Sequence, residues 1–228
     1  MEATQFDYDE TLALLEYLED EWSGNPLRLD EKKHAIQAWD DAGELTLDLR
    51  LPLVMPAMEE DQSLSAYRES LSEDIPTYLM FIVQLGAASV GAFEDGEVVD
   101  HKAFKKYMKR EKRGKAQISY LNQKGKSKAG SRIRLANTVR FFEELNERLT
   151  DLMEWYEPER LIYSCTAQLW GLMYQSKVPP PFEKKDPRLI KVPLDLKVPT
   201  HEEMMRVNEF AQKSRLLVYP EDEWDFQG

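Results

Sequence analysis

The sequence has very few of the residues from which disulfides and metal sites are built. Cys165 is the one cysteine among 228 residues, so a disulfide within the chain is excluded. The three histidines, at positions 34, 101 and 201, lack the spacing of a zinc site. Cys165 ends the apolar run LIYSC, where a buried structural thiol is expected rather than a nucleophile. We therefore expect no metal and no cofactor.

Long apolar runs are also missing. A membrane-spanning helix needs about 18 or more consecutive apolar residues, and no stretch of the sequence provides them. The amino terminus, MEATQFDYDE, is acidic and does not read as a secretory signal. With 42% hydrophobic and 11% aromatic residues, the chain has enough apolar side chains for a sizeable core. The sequence predicts a soluble, cytoplasmic protein that does not bind membranes.

Positive charge is scarce everywhere except in one stretch. The net charge is −12, yet residues 101–140 contain 14 lysines and arginines against one acid, Glu111. The rest of the chain therefore has 16 basic and 41 acidic side chains. This segregation predicts a polyanionic partner, and nucleic acid fits best because lysines and arginines that neutralise phosphates release counterions. The alternative is a disordered basic segment without a specific target.

The pattern of apolar residues divides the chain near Pro76. Residues 1–76 are expected to form a small acidic region, with 20 acidic and 5 basic side chains. It should contain a helix, since Leu12, Leu15, Leu18 and Trp22 recur at helical spacing, and a strand, since leucines alternate from 45 to 53. Residues 77–228 form the second domain. It starts with apolar strands, two of them joined by a hairpin turn at Asp95-Gly96, and then contains a basic loop, residues 109–131.

Helices and strands alternate after the basic loop. Apolar residues from Leu135 to Tyr156 recur at helical spacing, with Ser131 as a candidate N-cap. The runs RLIYSC and RLIKVPLDL read as strands, and AQLWGLMYQS as a short helix between them. A closing helix is predicted over THEEMMRVNEFAQKSRLLVY, with a capping box formed by Thr200 and Glu203. The predicted fold class is α/β (α+β), a mixed β-sheet with helices packed on it.

The basic loop has few groups that perform chemistry. It shows no catalytic triad, no P-loop and no carboxylate pair for two metals. Gln117 stands between Gly114 and the apolar Ile118, and a carboxamide can orient a water while its NH₂ group donates to a developing oxyanion. Tyr107 and Tyr120 are candidates for stacking on bases, and His101 for moving protons, although such residues more often pack or lie on the surface.

The stretch from EVVDHKAFKKYMKREKRGKAQ through KGKSKAGSRIRLANTVRFFEEL resembles the Vms-like release factor (VLRF) domain family. This family is similar to the catalytic middle domain of eukaryotic class-1 peptide release factors. The resemblance covers residues 78–218 and implies a ribonuclease-H-like mixed sheet. It also implies that Gln117 takes the place of the family's catalytic glutamine, and Gly114 that of its leading glycine. Class-1 factors have two adjacent glycines before the glutamine, whereas Lys115 and Ala116 intervene here.

The resemblance implies a ribosome-associated release or rescue factor that frees nascent chains from peptidyl-tRNA on stalled large subunits. Its partners would be the large ribosomal subunit, peptidyl-tRNA and rRNA. The predicted RNA-binding residues are Lys105, Lys106, Lys109, Arg110, Lys112, Arg113, Lys115, Lys124, Lys126, Lys128, Arg132 and Arg134. Two alternatives stay open at this point: an endonuclease that cuts the tRNA acceptor end on the ribosome, and a non-catalytic factor that binds rRNA.

Overall fold

The structure is a computed structural model that describes residues 3–105 and 129–219, without the side chains of residues 129–136. Its fold class is α+β, as predicted. The elements in chain order are β1 (Thr4–Phe6), α1 (Tyr8–Asp20), β2 (Leu27–Asp30), β3 (Ala35–Trp39), β4 (Leu45–Arg50), α2 (Leu64–Glu69), β5 (Tyr78–Gln84), β6 (Ala87–Glu94), β7 (Glu97–Lys105), α3 (Ala129–Tyr156), β8 (Arg160–Cys165), α4 (Ala167–Tyr174), β9 (Leu189–Lys191), α5 (His201–Ala211) and β10 (Ser214–Val218).

The first sheet is antiparallel and joins the two ends of the chain. Its strand order is β1-β10-β4-β3-β2. The last strand, β10, lies between β1 and β4, with Leu216 opposite Thr4 on one side and Leu49 on the other. The sheet therefore combines strands from both sides of residue 76. The division of the chain at that residue stays a prediction about domain organisation.

The second sheet is mixed and has the order β7-β6-β5-β8-β9. Strands β5, β6 and β7 form an antiparallel meander, whereas β8 runs parallel to β5 and β9 runs parallel to β8. Counted from β5, the order is 3-2-1-4-5, which matches the ribonuclease-H-like sheet implied by the resemblance. The predicted mixed sheet is thus confirmed.

Strand β5 lies in the middle of the second sheet, and both of its faces are buried. Tyr78, Met80 and Ile82 pack into one apolar core together with α5 and the first sheet. Leu79, Phe81 and Val83 point to the other face, where α3 and α4 cover the sheet. Successive side chains of a strand alternate between faces, so an uninterrupted apolar run such as YLMFIV suits a strand that is covered on both sides.

The hairpin between β6 and β7 has the turn that the sequence predicted. Asp95 and Gly96 both have positive φ angles, 48° and 75°, as in a type I′ turn. The carbonyl of Gly96 accepts hydrogen bonds from the side-chain amides of Asn208 (2.8 Å) and Gln212 (3.1 Å). The turn is therefore attached to α5 as well as to its own strands.

The structure differs from the predictions at two helix N-termini and at one strand. Helix α3 begins at Ala129, so Ser131 lies inside the helix and is not its N-cap. Thr200 does cap α5, since its hydroxyl accepts from the Glu203 amide, but the Glu203 carboxylate accepts from the Lys197 amide and not from the cap. The predicted closing helix ends at Ala211, and residues 214–218 form β10. The first sheet provides backbone hydrogen-bond partners for this segment on both sides.

Cys165 is buried, as expected, and burial raises the pKa of its thiol to about 12. Such a thiol stays protonated and unreactive at neutral pH. Within the described ranges, no three histidine, cysteine or acidic side chains are grouped so that they could hold a metal ion. In the same ranges, no helix has the length and apolar character needed to cross a lipid bilayer.

His34 makes stability depend on pH. Its ring is 2% exposed, and its Nε2 donates to the carbonyl of Pro52 over 3.1 Å. Burial, followed by the nearby charge of Arg160, lowers the pKa of His34 to about 3. In the unfolded chain this histidine takes up a proton near its ordinary pKa of about 6.5. As the pH falls from about 6.5 towards 3, the unfolded state is therefore favoured by proton binding at His34.

We expect the His34→Gln variant to lose this pH dependence of the free energy of unfolding. Relative to the variant, the free energy of unfolding of the wild type should fall by up to about 1.4 kcal/mol for each pH unit below 6. Urea denaturation of both proteins between pH 4 and pH 8 measures the difference. A difference that is the same at every pH would contradict the prediction, whatever its size, because strain or packing alone gives a constant offset.

Candidate functional site

Most of the predicted site residues lie outside the described part of the chain. Gln117 and Gly114 belong to this group, as do the basic residues Lys106, Lys109, Arg110, Lys112, Arg113, Lys115, Lys124, Lys126 and Lys128. Arg132 and Arg134 lie on the first turns of α3, but their side chains are not described. Lys105 is described, and it is the exposed last residue of β7. The roles of all these residues stay predictions.

The topology fixes where the two ends of the undescribed segment 106–128 are held. Strand β7 runs parallel to β5 and β8, and α3 connects the end of β7 to the start of β8. The segment therefore starts and ends at the edge of the sheet where the parallel strands have their carboxyl ends. In open sheets with parallel strands, this edge is the usual place for a functional site.

Helix α3 is longer than the strands beneath it. An ion pair between Arg148 of α3 and Asp100 of β7 aligns the two elements. About 28 Å of helix precedes Arg148, whereas about 17 Å of strand follows Asp100, taking 1.5 Å and 3.3 Å per residue. The first turns of α3 therefore extend beyond the carboxyl end of β7, and these turns carry residues 132 and 134.

The two elements that flank the segment are packed into the fold. Strand β7 pairs with β6 along its whole length, from Glu97 opposite Glu94 to Lys105 opposite Ala87. Helix α3 buries one apolar stripe against the second sheet, consisting of Phe141, Phe142, Leu145, Leu149 and Leu152. The basic segment therefore lies between two elements that pack in the second sheet or on it, and the first turns of α3 extend beyond that sheet.

The ion pair between Asp100 and Arg148 links β7 to α3. The two side chains are 22% and 13% exposed, and the Arg148 guanidinium also lies over the ring of Trp155 at 5.3 Å. We expect Arg148→Met to lower the free energy of unfolding by about 1–3 kcal/mol, because Asp100 would keep a half-buried charge without its partner. Urea denaturation measures this loss. The exposed Arg140→Met, on the same helix, is the matched control and should cost less than about 0.5 kcal/mol.

A double variant shows whether the ion pair itself is responsible. Adding Asp100→Asn to Arg148→Met removes the unpaired charge, so the double variant should be more stable than Arg148→Met alone. If the double variant is instead less stable by the sum of the two single losses, the packing of the arginine stem explains the effect and the ion pair does not.

His101 has partners that the sequence did not predict. Its Nε2 lies 2.8 Å from the hydroxyl oxygen of Ser89 on β6, and its ring lies 4.7 Å from that of His201 on α5. Burial, followed by the charge of His201, lowers the pKa of His101. Both effects favour the neutral form of the ring. The contact links β6 to β7. Ser89 is fully buried, so its hydroxyl is not open to a substrate as a nucleophile.

A model of the Bacteroidetes VLRF1 release factor family matches residues 78–218. Mouse tRNA endonuclease ANKZF1 is 28% identical to the chain over 160 residues, which are 68% of this chain and 21% of that protein. The chain thus spans about a fifth of the length of this curated relative. Among solved structures, the Vms1 mitochondrial localization core is similar with a TM-score of 0.49 and 13% identity, over 82% of this chain and 77% of that one.

Proposed function

Because the chain belongs to the bVLRF1 family of Bacteroidetes VLRF1 release factors, we propose that it frees stalled nascent chains from peptidyl-tRNA on the large ribosomal subunit. The observation that supports this proposal is the family match over residues 78–218, which includes the whole basic segment between β7 and α3. The VLRF resemblance recognised from the sequence is confirmed by this match. Since ribosomes work in the cytoplasm, the proposal also places the protein there.

In this proposal, Gln117 positions the water that attacks the ester between the peptide and the terminal ribose of the tRNA. A carboxamide takes up no proton at neutral pH. Its oxygen can accept a hydrogen bond from the water, and its NH₂ group can donate to the oxyanion that forms on the ester carbonyl. Gly114 gives the loop the backbone freedom to bring Gln117 into place. Positioning of the attacking water, together with exclusion of bulk water from the site, supplies most of the rate acceleration.

The basic side chains would hold RNA on both sides of the reacting ester. Lys105 stands at the end of β7, and the first turns of α3 bring positions 132 and 134 to the same edge of the sheet. Lysines and arginines that contact phosphates give affinity without reading a sequence, and that affinity falls as the salt concentration rises. The large subunit, its rRNA and peptidyl-tRNA are the proposed partners.

Cleavage of the tRNA is the second candidate, and the name of the mouse relative, tRNA endonuclease ANKZF1, favours it. A ribose 2′-oxygen would lose its proton and bond to the neighbouring phosphorus, while the 5′-oxygen of the next nucleotide leaves and takes up a proton. The peptide would then depart with the acceptor-end nucleotides attached. Arg132 and Arg134 would stabilise the charge on the phosphate in this reaction.

Peptide release from purified large subunits that carry labelled peptidyl-tRNA tests the proposal. The peptide and the 3′ end of the tRNA are resolved separately. Release with an intact tRNA end supports ester hydrolysis, and release with a shortened tRNA supports cleavage. Binding to the subunit without any release would overturn both reactions and leave the third alternative, a non-catalytic factor that binds rRNA.

A further inference from the structure

A cavity of about 640 Å³ is lined by residues from both halves of the chain. Its walls come from the β2–β3 turn, the end of β4 with the loop after it, the start of β8, the β9 region and β10. Cavities of this size bind small molecules in many proteins. None of the described residues that line it lies between 101 and 140, so the described lining shares no residue with the candidate site above.

The cavity is strongly basic in a protein that is acidic overall. Three of the five basic residues of the region 1–76 line it, namely Lys32, Lys33 and Arg50. Arg160, Lys191 and Arg215 join them from the second half of the chain. Among the described residues, only one acidic side chain, that of Glu31, lines the cavity.

The three cations from the second half differ from Arg50 and Lys33 in their pairing with carboxylates. Arg50 is paired with Asp48 at 2.8 Å, and Lys33 with Asp30 at 3.2 Å. In the described part of the chain, by contrast, no carboxylate lies within ion-pair distance of Arg160, Lys191 or Arg215. An unneutralised group of positive charges at a cavity wall costs free energy, and a bound anion would remove that cost.

Two polar residues on the wall, Arg160 and His34, are buried. Arg160 is 3% exposed, and its Nε and Nη1 donate to the carbonyls of Leu53 and Pro187 at 3.2 and 3.3 Å. The Nδ1 atom of His34, whose ring is 2% exposed, has no hydrogen-bond partner among the described residues. Because Nε2 carries the proton, Nδ1 can only accept a hydrogen bond, so it calls for an ordered water or a donor group of a ligand and not for the phosphate itself.

The electrostatics of the arginines agree with this interpretation. Burial lowers the pKa of Arg160 to about 10. Burial, followed by the like charge of Arg50, lowers the pKa of Arg215 to about 10 as well. An anion in the cavity would favour the charged form of both guanidinium groups and reverse these shifts.

The rest of the wall is apolar. Leu51, Leu53 and Met58 contribute buried side chains, and Leu189 and Ile190 contribute half-buried ones. An inorganic ion would leave this surface uncovered. A molecule with an anionic head and a flat or apolar body would use both parts of the wall.

We propose that this cavity binds a small organic phosphate of nucleotide size. The phosphate contacts Arg160, Lys191 and Arg215, and the body packs against Leu53, Met58 and Ile190. Bidentate contacts to guanidinium groups favour phosphate, and the concave, half-apolar shape favours a small molecule over an extended RNA strand. The proposal does not depend on the release activity.

Calorimetric titration of the full chain at low salt tests the proposal with AMP as the probe, alongside inorganic phosphate and adenosine. AMP should bind at least about tenfold more tightly than either of the other two, because only AMP has both an anionic head and an apolar body. Lys191→Glu should weaken AMP binding at least about tenfold. Lys185→Glu is the matched control, because it makes the same charge change. Lys185 is exposed like Lys191 but does not line the cavity.

The basic segment must be separated from the cavity as a site for AMP. Lys126→Glu makes the same charge change within that segment and should leave AMP affinity within about twofold of the wild type. The proposal is overturned if AMP does not bind up to about 5 mM, or if adenosine binds as tightly as AMP. It is also overturned if Lys126→Glu or Lys185→Glu weakens binding as much as Lys191→Glu does. Arg215→Gln should reproduce the loss seen with Lys191→Glu.

Discussion

Replacing Gln117 with alanine is expected to slow peptide release by at least about 100-fold, with binding to the large subunit changed by no more than about twofold. Removing one hydrogen-bond donor that stabilises an oxyanion has an effect of this size on other acyl-transfer reactions. Binding should persist because, in the proposal, the many lysines and arginines of the segment would supply it, and the variant keeps them all. Single-turnover release and sedimentation with the subunits measure the two quantities.

Gln123→Ala is the matched control, since Gln123 is the other glutamine of the same segment. It should release peptide at the wild-type rate. Gln117→Glu adds a second comparison, because a carboxylate can accept a hydrogen bond from water but cannot donate one to an oxyanion. We expect this variant to be as slow as Gln117→Ala. If Gln117→Ala keeps full activity, or if Gln123→Ala loses as much, the proposed role of Gln117 is wrong.

The elements that could be predicted from the sequence are those set by neighbouring residues. The dipeptide Asp95-Gly96 predicts its hairpin because both residues accept positive φ angles. Helix α3 follows from an apolar stripe that runs through Phe142 and Leu149. Each of these patterns lies within one segment of the chain and needs no knowledge of distant partners.

The elements that were missed depend on partners far along the chain. Residues 214–218 follow a helix directly, and their short apolar run also suits a helical turn. They form a strand because β1 and β4, both more than 150 residues earlier, provide hydrogen-bond partners on either side. The hairpin of β2 and β3 was missed too, since its strands are short and its turn lacks a strong glycine signal.

The same reason explains which part of the candidate functional surface the sequence could indicate. The Gly-x-x-Gln segment and its lysines are continuous in sequence, so composition and motif order indicate them as candidates. The contact between Ser89 and His101 requires the register of β6 on β7. The basic cavity is assembled from five separate stretches, and its arginines at 50, 160 and 215 have no sequence relation to one another.

The second large effect is expected from deleting residues 1–76. The fragment 77–228 should not unfold cooperatively, because β10 would lose both of its neighbouring strands, β1 and β4. The inner face of β5, formed by Tyr78, Met80 and Ile82, would also lose the first sheet that covers it. Exposing that much apolar surface removes more free energy than a protein of this size holds in reserve. Thermal unfolding followed by circular dichroism, together with amide hydrogen exchange, measures the result.

Deleting residues 220–228 is the control for this truncation. It shortens the chain but removes none of the described strands, so its melting temperature should stay within about 3 °C of the full chain. A fragment 77–228 that melts cooperatively near the temperature of the full chain would contradict the prediction. It would show that the second sheet with α3, α4 and α5 is stable alone, and that the acidic region is a separate domain. Loss of release activity in a fragment that fails to melt cooperatively would reflect unfolding and would give no information about Gln117.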